Sequence, residues 1–433
     1  MRGTAIVALV IGVVGAGVVC VGLEVGADGR SGVARAAEAE VRATCTLIAG
    51  AKVYLPGAVA AEVDVVLADG RIRAVGAGLS DAGCVRVDAR GQVLTAGLVD
   101  AYSGLGLVEV ELEGSTVDTD LKNVHQDPAG AVRAAVRASL GYNARSIAIQ
   151  VARGGGVTSS VVVPTSGIIS GGAFWADLAG GTRAGVKREP AAMTASVGAL
   201  SESRAASMYV IDLALKEALL WEKERGAWQK NQRANFANKT LDLEALGPVV
   251  RGEVPLLASV DRASDIEALL TLTAGTKVRL VLVGGAEAWL VKEALATRAV
   301  AVIVDPFVYG PGSFDQLRAR ADNAALLAAA GVKVLMSTFN THQVRRLRQV
   351  AGNAVREGLP WQSALLAVTE WAADAFGMSG HGRIAVGAVG NVVLWSGDPF
   401  EFSTGVVKMW IDGREIAIRS RQTELFERWR TMP

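Results

Sequence analysis

The 433 residues contain three histidines, His125, His342 and His381, and three cysteines. His342 with Ser259 or Ser337, oriented by Asp261, is a combination of types that suits nucleophilic acyl transfer. No Gly-x-Ser-x-Gly turn supports it. The competing place for His342 is a helix start beside Asn340 and Thr341, with Asn340 as the N-cap. His125 falls in the polar run Lys122-Asn-Val-His-Gln-Asp-Pro128 and His381 in the turn Ser379-Gly-His-Gly382, so both are expected in solvent. Gly154-Gly-Gly156 lacks the Gly-Lys-Ser/Thr ending of a phosphate loop and precedes its strand, which predicts a helix C-cap and turn instead. Cys45 and Cys84 each open a strand-like run, and the sequence leaves a disulfide and two buried thiols equally open.

The elements that must carry these groups fall into two patterns. Residues 44–54, 63–67, 71–75 and 84–87 read as short strands, with Asp69-Gly70 as a hairpin turn. A similar cassette returns at 383–386, 389–395 and 406–411, with Asp412-Gly413 as its turn, so the two ends are expected to pair in one sheet domain. Between them, apolar runs at 97–101, 157–163, 254–260, 278–283, 300–304 and 332–336 alternate with helical stretches. Four of these runs start 24, 22 and 32 residues apart, the spacing of βα units around a buried parallel sheet. A barrel is the natural closure. Met208, Ile211, Leu215 and Leu219 mark the apolar face of one intervening helix, whose other face carries Lys216, Glu217, Glu222, Lys223 and Glu224. Trp175, Trp221, Trp228, Trp289 and Trp361 are expected to be packing residues.

Composition bounds the partners. Lys and Arg number 44 against 43 Asp and Glu, a net charge of +1, which argues against nucleic acid as a partner. After Arg2, residues 3–23 carry no charge, and Ala34-Arg-Ala36 offers small residues for cleavage. Residues 1–36 are therefore expected to be a signal peptide, with retention as a membrane anchor the second expectation. Val18-Val19 before Cys20 does not suit lipid modification. Either way, the rest of the chain is expected outside the cytoplasmic membrane, in the periplasm or cell envelope, where Cys45 and Cys84 can pair.

The run Leu67-Ala-Asp-Gly-Arg-Ile-Arg-Ala-Val-Gly76, then Val87-Asp-Ala-Arg-Gly-Gln-Val-Leu-Thr-Ala-Gly-Leu-Val-Asp-Ala101, resembles the opening of the amidohydrolase superfamily, in particular its imidazolonepropionase-like members. The close, Gly382-Arg-Ile-Ala-Val-Gly-Ala-Val-Gly-Asn-Val-Val-Leu-Trp-Ser-Gly-Asp-Pro399 with Val406-Val-Lys-Met-Trp-Ile-Asp-Gly413, resembles it too. The resemblance implies an α/β fold: a TIM-like (β/α)8 barrel over 98–382, inserted in a small composite β-sandwich made of 43–97 and 383–420. A helical tail is expected over 421–433.

Carried over one residue at a time, the resemblance implies a changed site. The family's His-x-His pair after the first strand corresponds to Tyr102 and Gly104. The His of the fifth strand corresponds to Ser259, the His of the sixth to Gly284, and the general-base Asp of the eighth to Phe339. The fourth-strand segment 191–200 holds neither the expected Lys nor Glu. A divalent ion such as zinc, which the family uses, needs three or four donors within about 2.0–2.3 Å, and without it nothing lowers the pKa of the attacking water. No cofactor is expected.

Three readings follow. The first is an exported, non-catalytic binding protein, or a subunit in a homo-oligomer or beside an active paralogue. The second is an active hydrolase of non-peptide carbon–nitrogen bonds with an altered or metal-free centre, and the third an envelope protein whose mouth is closed. The pocket candidates are Tyr102, Ser259, Asp261, Glu287, Asn340 and His342, for a small-molecule ligand. Removing the ligands leaves a cavity open, or Tyr102 and Phe339 fill it.

Overall fold

The computed structural model describes residues 9–14, 17–22, 45–55, 61–80, 82–119, 130–198, 203–230 and 235–430. His125 and the Ala34-Arg-Ala36 triplet lie outside them. Leu9–Val14 and Gly17–Gly22 pair as an antiparallel hairpin. Among the described residues no helix is long and apolar enough to cross a membrane.

Eight strands form the barrel sheet: β1 (Leu98–Ser103), β2 (Val157–Val162), β3 (Ile169–Asp177), β4 (Val186–Ser196), β5 (Leu256–Val260), β6 (Leu280–Gly284), β7 (Ala301–Val304) and β8 (Val334–Met336), neighbours in that order. All adjacent pairs are parallel except those that β3 makes with β2 and β4. Connection length explains the reversal: a parallel neighbour needs a crossover of about a dozen residues or more, and neither connection flanking β3 is that long. The expected (β/α)8 barrel is therefore present with one strand turned around. The sequence reading missed β3 and half of β4 because β3 is buried along its whole length, which erases alternation, and carries Gly171-Gly172 within it. Helices fill the other intervals. In Arg204–Gln229, Ile211 and Leu215 are buried as the apolar stripe requires.

Inside the barrel, Val99, Val161, Trp175, Leu257, Val281, Ile303 and Leu335 make one core, stoppered by Ala372, Ala373 and Phe376. Strands β1 and β8 meet through side chains. Asp100 accepts from the backbone N–H of Tyr102 (3.1 Å) and from the Thr338 N–H and hydroxyl (3.4 and 3.2 Å). The Ser337 hydroxyl donates to the Tyr102 carbonyl at 2.6 Å and accepts from the Phe339 N–H at 2.9 Å.

The two chain ends share one sheet, as expected: Val392–Trp395 pairs with Val93–Ala96 and with Val406–Ile411. The sheet folds over a core containing Ile48, Leu67, Ile72, Leu394 and Trp410. Its two hairpin turns, Asp69-Gly70 and Asp412-Gly413, have all four residues at positive φ and pack so closely that a Cβ on Gly413 would lie 3.0 Å from Gly70 Cα. The strand expected at 383–386 is instead a turn: Gly382 and Gly387 (φ 72° and 85°) break it at both sides, although Ile384 still enters the core. Thr46 pairs with Val85 in a parallel register, which sets Cys45 beside Cys84. The two form a disulfide with Cα atoms 4.7 Å apart. Arg421–Trp429 is the helix of the tail, exposed throughout.

His381 corrects the expectation of a solvated turn residue. It is 7% exposed, and its Nε2 lies 3.1 Å from Asp177 Oδ2 at the barrel floor. The Ser159 hydroxyl (2.7 Å) and Trp175 Nε1–H (2.9 Å) donate to the other oxygen of Asp177. Burial alone would raise this carboxyl, but those hydrogen bonds and the His381 charge together hold it below the ordinary range. Floor positions of such barrels serve stability.

Two predictions follow from these buried acids. His381→Ala strands Asp177 without its partner and should cost about 3–5 kcal/mol in urea unfolding; a loss under about 1 kcal/mol would remove the floor pair from the account. Burial raises Asp100 to about 6 from 3.8, against the hydrogen bonds it accepts. A raised folded pKa means extra stability as pH falls through it, so the stability of the wild type relative to Asp100→Asn should rise by about 1 kcal/mol from pH 7.5 to pH 5. A flat or opposite trend would contradict the assignment.

Candidate functional site

The C-terminal ends of β1 and of β4 to β8 surround a cavity of about 470 Å³. On a barrel this end is where strand termini and the following loops meet a ligand. Tyr102 comes from β1, Ser196 from the end of β4, Ser259 and Asp261 from β5, Gly284 from β6, Asp305 from just beyond β7 and Phe339 from beyond β8. The outer wall is the connection after β7, carrying Asp315, Gln316, Arg320 and Asn323.

Tyr102 and Phe339 pack against each other, ring centroids 5.6 Å apart and planes at 40°, over the barrel core. Phe339 holds φ 50°, a conformation that bulky side chains rarely adopt and that costs of order 1–3 kcal/mol unless its surroundings impose it. Here Ser337 and Asp100 impose it. The Tyr102 hydroxyl hydrogen-bonds Ser259, and burial pushes its pKa up in spite of that bond. The rings occupy the centre of the mouth without closing it.

Asp261 accepts from Gln316 Nε2–H at 2.9 Å and from the Ala286 N–H at 3.1 Å. Burial, reinforced by the charges of Asp315 and Glu287, raises its carboxyl above the ordinary range. Asp305 accepts from the Phe307 N–H at 2.9 Å; it too is raised by burial, against the pull of that bond and of Arg346. Asp315 pairs with Arg204, which also holds Asp265 at 2.9 Å.

Of the six pocket candidates, Tyr102, Ser259 and Asp261 line this cavity. The other three do not. Glu287 spends its carboxylate on the backbone N–H groups of Ala263 and Arg318, both at 3.1 Å. Asn340 caps the 3₁₀ turn Thr341–Arg346 by accepting from the N–H of His342 (3.0 Å) and Gln343 (3.1 Å). His342 is the second residue of that turn and lies off the cavity wall, so no nucleophile–imidazole pair forms with Ser259. Sequence reasoning missed Asp315, Gln316 and Asn323, which belong to a long connection without a motif.

The residues present do not fit a divalent ion bound as the resemblance implies. Tyr102, Gly104, Ser259, Gly284 and Phe339 offer at most two hydroxyls, and those bond each other. Among the described residues no three His, Cys, Asp or Glu side chains converge on a metal position. Neighbours also occupy the space: a Cβ on Gly104 would lie 2.7 Å from Thr341 Oγ1, and one on Gly284 (φ 90°) 2.5 Å from Asp261 Oδ1.

Gly284→Ala should therefore destabilise the fold by about 2–4 kcal/mol, through backbone strain and overpacking together, as read by urea unfolding. Gly284→His should do the same and gain no zinc. Tight zinc uptake by that variant would show that the mouth still has room for a ligand set.

Comparison with known proteins adds the lineage. Residues 333–417 match the model of the amidohydrolase family. Amidohydrolase tasK from Hapsidospora irregularis is 26% identical over 186 residues, which is 41% of this chain but only 19% of that relative's length. The crystal structure of an amidohydrolase from Thermotoga maritima MSB8 aligns over 86% of this chain and all of its own, at 25% identity and a TM-score of 0.77. A prolidase complexed with N-methylphosphonate-L-proline covers the same 86% at 18% identity and a TM-score of 0.53, a likeness of fold alone. Closing motif, barrel and composite sheet together support the assignment of this chain to the amidohydrolase superfamily.

Proposed function

We propose that this chain is an exported, metal-free member of its superfamily that binds a small molecule at the barrel mouth and does not hydrolyse it. One observation carries the reading. Where the resemblance calls for four strand-end histidines and an aspartate, the chain places Tyr102, Gly104, Ser259, Gly284 and Phe339, and an open cavity of about 470 Å³ remains beside them. That volume lies in the range of small-molecule sites. Export is supported by the uncharged run 3–23 and by the Cys45–Cys84 disulfide, a bond of oxidising compartments. Such a protein serves as a ligand carrier, as a homo-oligomer, or as the binding subunit beside an active relative.

A second reading has one observation in its favour: Asp261 and Asp305 are partly buried acids whose pKa values are raised above the ordinary carboxylate range by desolvation, the direction that suits a general acid or base. It assigns the chain a metal-free hydrolysis of carbon–nitrogen bonds. One experiment separates the two. The full chain, purified without chelators, is assayed for metal content and for hydrolysis of a panel of amides, lactams and cyclic imides. The binding reading expects less than about 0.1 ion per chain and no turnover above buffer. Chelator-resistant turnover abolished by Asp261→Asn would establish the second reading, and stoichiometric metal with chelator-sensitive turnover would overturn both.

A further inference from the structure

We propose that the barrel-mouth cavity takes a small organic ammonium, gripped by Asp261 and Asp305 with its charged head against the Tyr102 and Phe339 rings. The inference rests on the binding reading and names its ligand class. Charge accounting around the wall leads to it. Arg204 is divided between Asp265 and Asp315. Arg320 spans both oxygens of Asp322 at 2.7 Å each and lies 4.8 Å from the Trp289 ring centroid. Arg346 stacks 5.4 Å from the Phe307 ring. No cation forms an ion pair with Asp261 or Asp305 among the described residues. Asp261 is held only by an amide and a backbone N–H, and Asp305 by one backbone N–H that uses one of its two oxygens.

A second, independent feature points the same way. Asn323, 7% exposed and on the same wall, donates its Nδ2–H to the Gly285 carbonyl at 2.9 Å, and its Oδ1 has no partner. A buried acceptor left alone is uncommon. Asn323 thus adds an unsatisfied acceptor to the wall that also carries Asp261 and Asp305, and an ammonium supplies donors. The aromatic pair adds attraction for a cation, because ring faces carry negative potential that strengthens when water is excluded. Burial raises both carboxyls, Asp305 in spite of the Arg346 charge, and an entering cation would offset that rise. A carboxylate or phosphate ligand would meet uncompensated negative charge instead.

Isothermal titration of the full chain with butylammonium, cadaverine and choline, against butyramide, butanol and butyrate, tests this. At least one ammonium should bind ten-fold or more tighter than every neutral or anionic probe. Asp261→Asn and Asp305→Asn should each weaken it at least ten-fold, and Phe339→Leu should weaken it about three-fold. Asp261 also braces the Gly284–Ala286 turn, so unfolding of that variant would leave Asp305→Asn, with a wild-type melting curve, to decide. Butyramide or butyrate binding as tightly as the ammoniums would overturn the proposal. So would an absence of ammonium binding, or ammonium binding that Asp305→Asn leaves intact. A neutral amide bound as tightly as every ammonium and not hydrolysed would sink this inference and spare the binding reading. An amine-bearing amide bound and hydrolysed would do the reverse.

Discussion

The mouth of this barrel depends on one polar clasp. Asp100, fully buried, gathers the Tyr102 N–H and both donors of Thr338, while Ser337 bridges the Tyr102 carbonyl and the Phe339 N–H. Strands β1 and β8 thus meet through side chains, and the two residues that end the clasp are the two rings that occupy the mouth. A buried carboxylate is costly unless donors surround it. Here that cost buys geometry, because the same donors fix two backbones that no ladder of main-chain bonds would hold. The left-handed conformation of Phe339 is a consequence of the clasp.

A second buried acid does comparable work at the opposite end. Asp177 joins β3 to β2 through Ser159, to the barrel core through Trp175, and to the returning sheet domain through His381. Asn391 extends the network, donating to Ser159 Oγ at 3.3 Å and accepting from the Asp412 N–H at 2.7 Å beside the second hairpin turn. Barrel and sheet domain are therefore coupled by a polar network as well as by apolar contact. Because the floor and core carry this coupling, the mouth can change its chemistry without endangering the fold.

Much of this architecture was legible. Periodicity and turn residues located the parallel strands β1, β2 and β5 to β8, and the Asp-Gly pairs located both hairpins, because local rules govern those features. Strand β3 was not, since burial on both faces removes the alternation that marks a strand. His381 was misread for a related reason: its flanking glycines describe the turn, whereas its partner lies 204 residues away. At the site, strand-end logic reached Tyr102, Ser259 and Asp261, which stand next to regular elements. It failed for Glu287 and Asn340, whose side chains satisfy local backbone donors, and for the connection after β7, whose path is set by packing that no short motif encodes.

The fate of the strand-end positions argues that the altered mouth is a settled arrangement and not a deletion awaiting repair. A lost imidazole alone would leave a void. Instead Asp261 Oδ1 occupies the place where a side chain at 284 would begin, and Thr341 does the same for 104. Gly284 at φ 90° then lets the chain turn so that the Ala286 N–H meets that carboxylate. Each part thereby supports the next: Gly284 admits the acid, the acid orders the turn, and Gln316 anchors the loop after β7 onto the acid. The cavity is lined at the ends of β5, β6 and β7 by Ser259, Asp261, Gly284 and Asp305, and beyond them by the loop after β7. A side chain at 284 would displace the Asp261 carboxylate and with it the bonds to the Ala286 N–H and to Gln316.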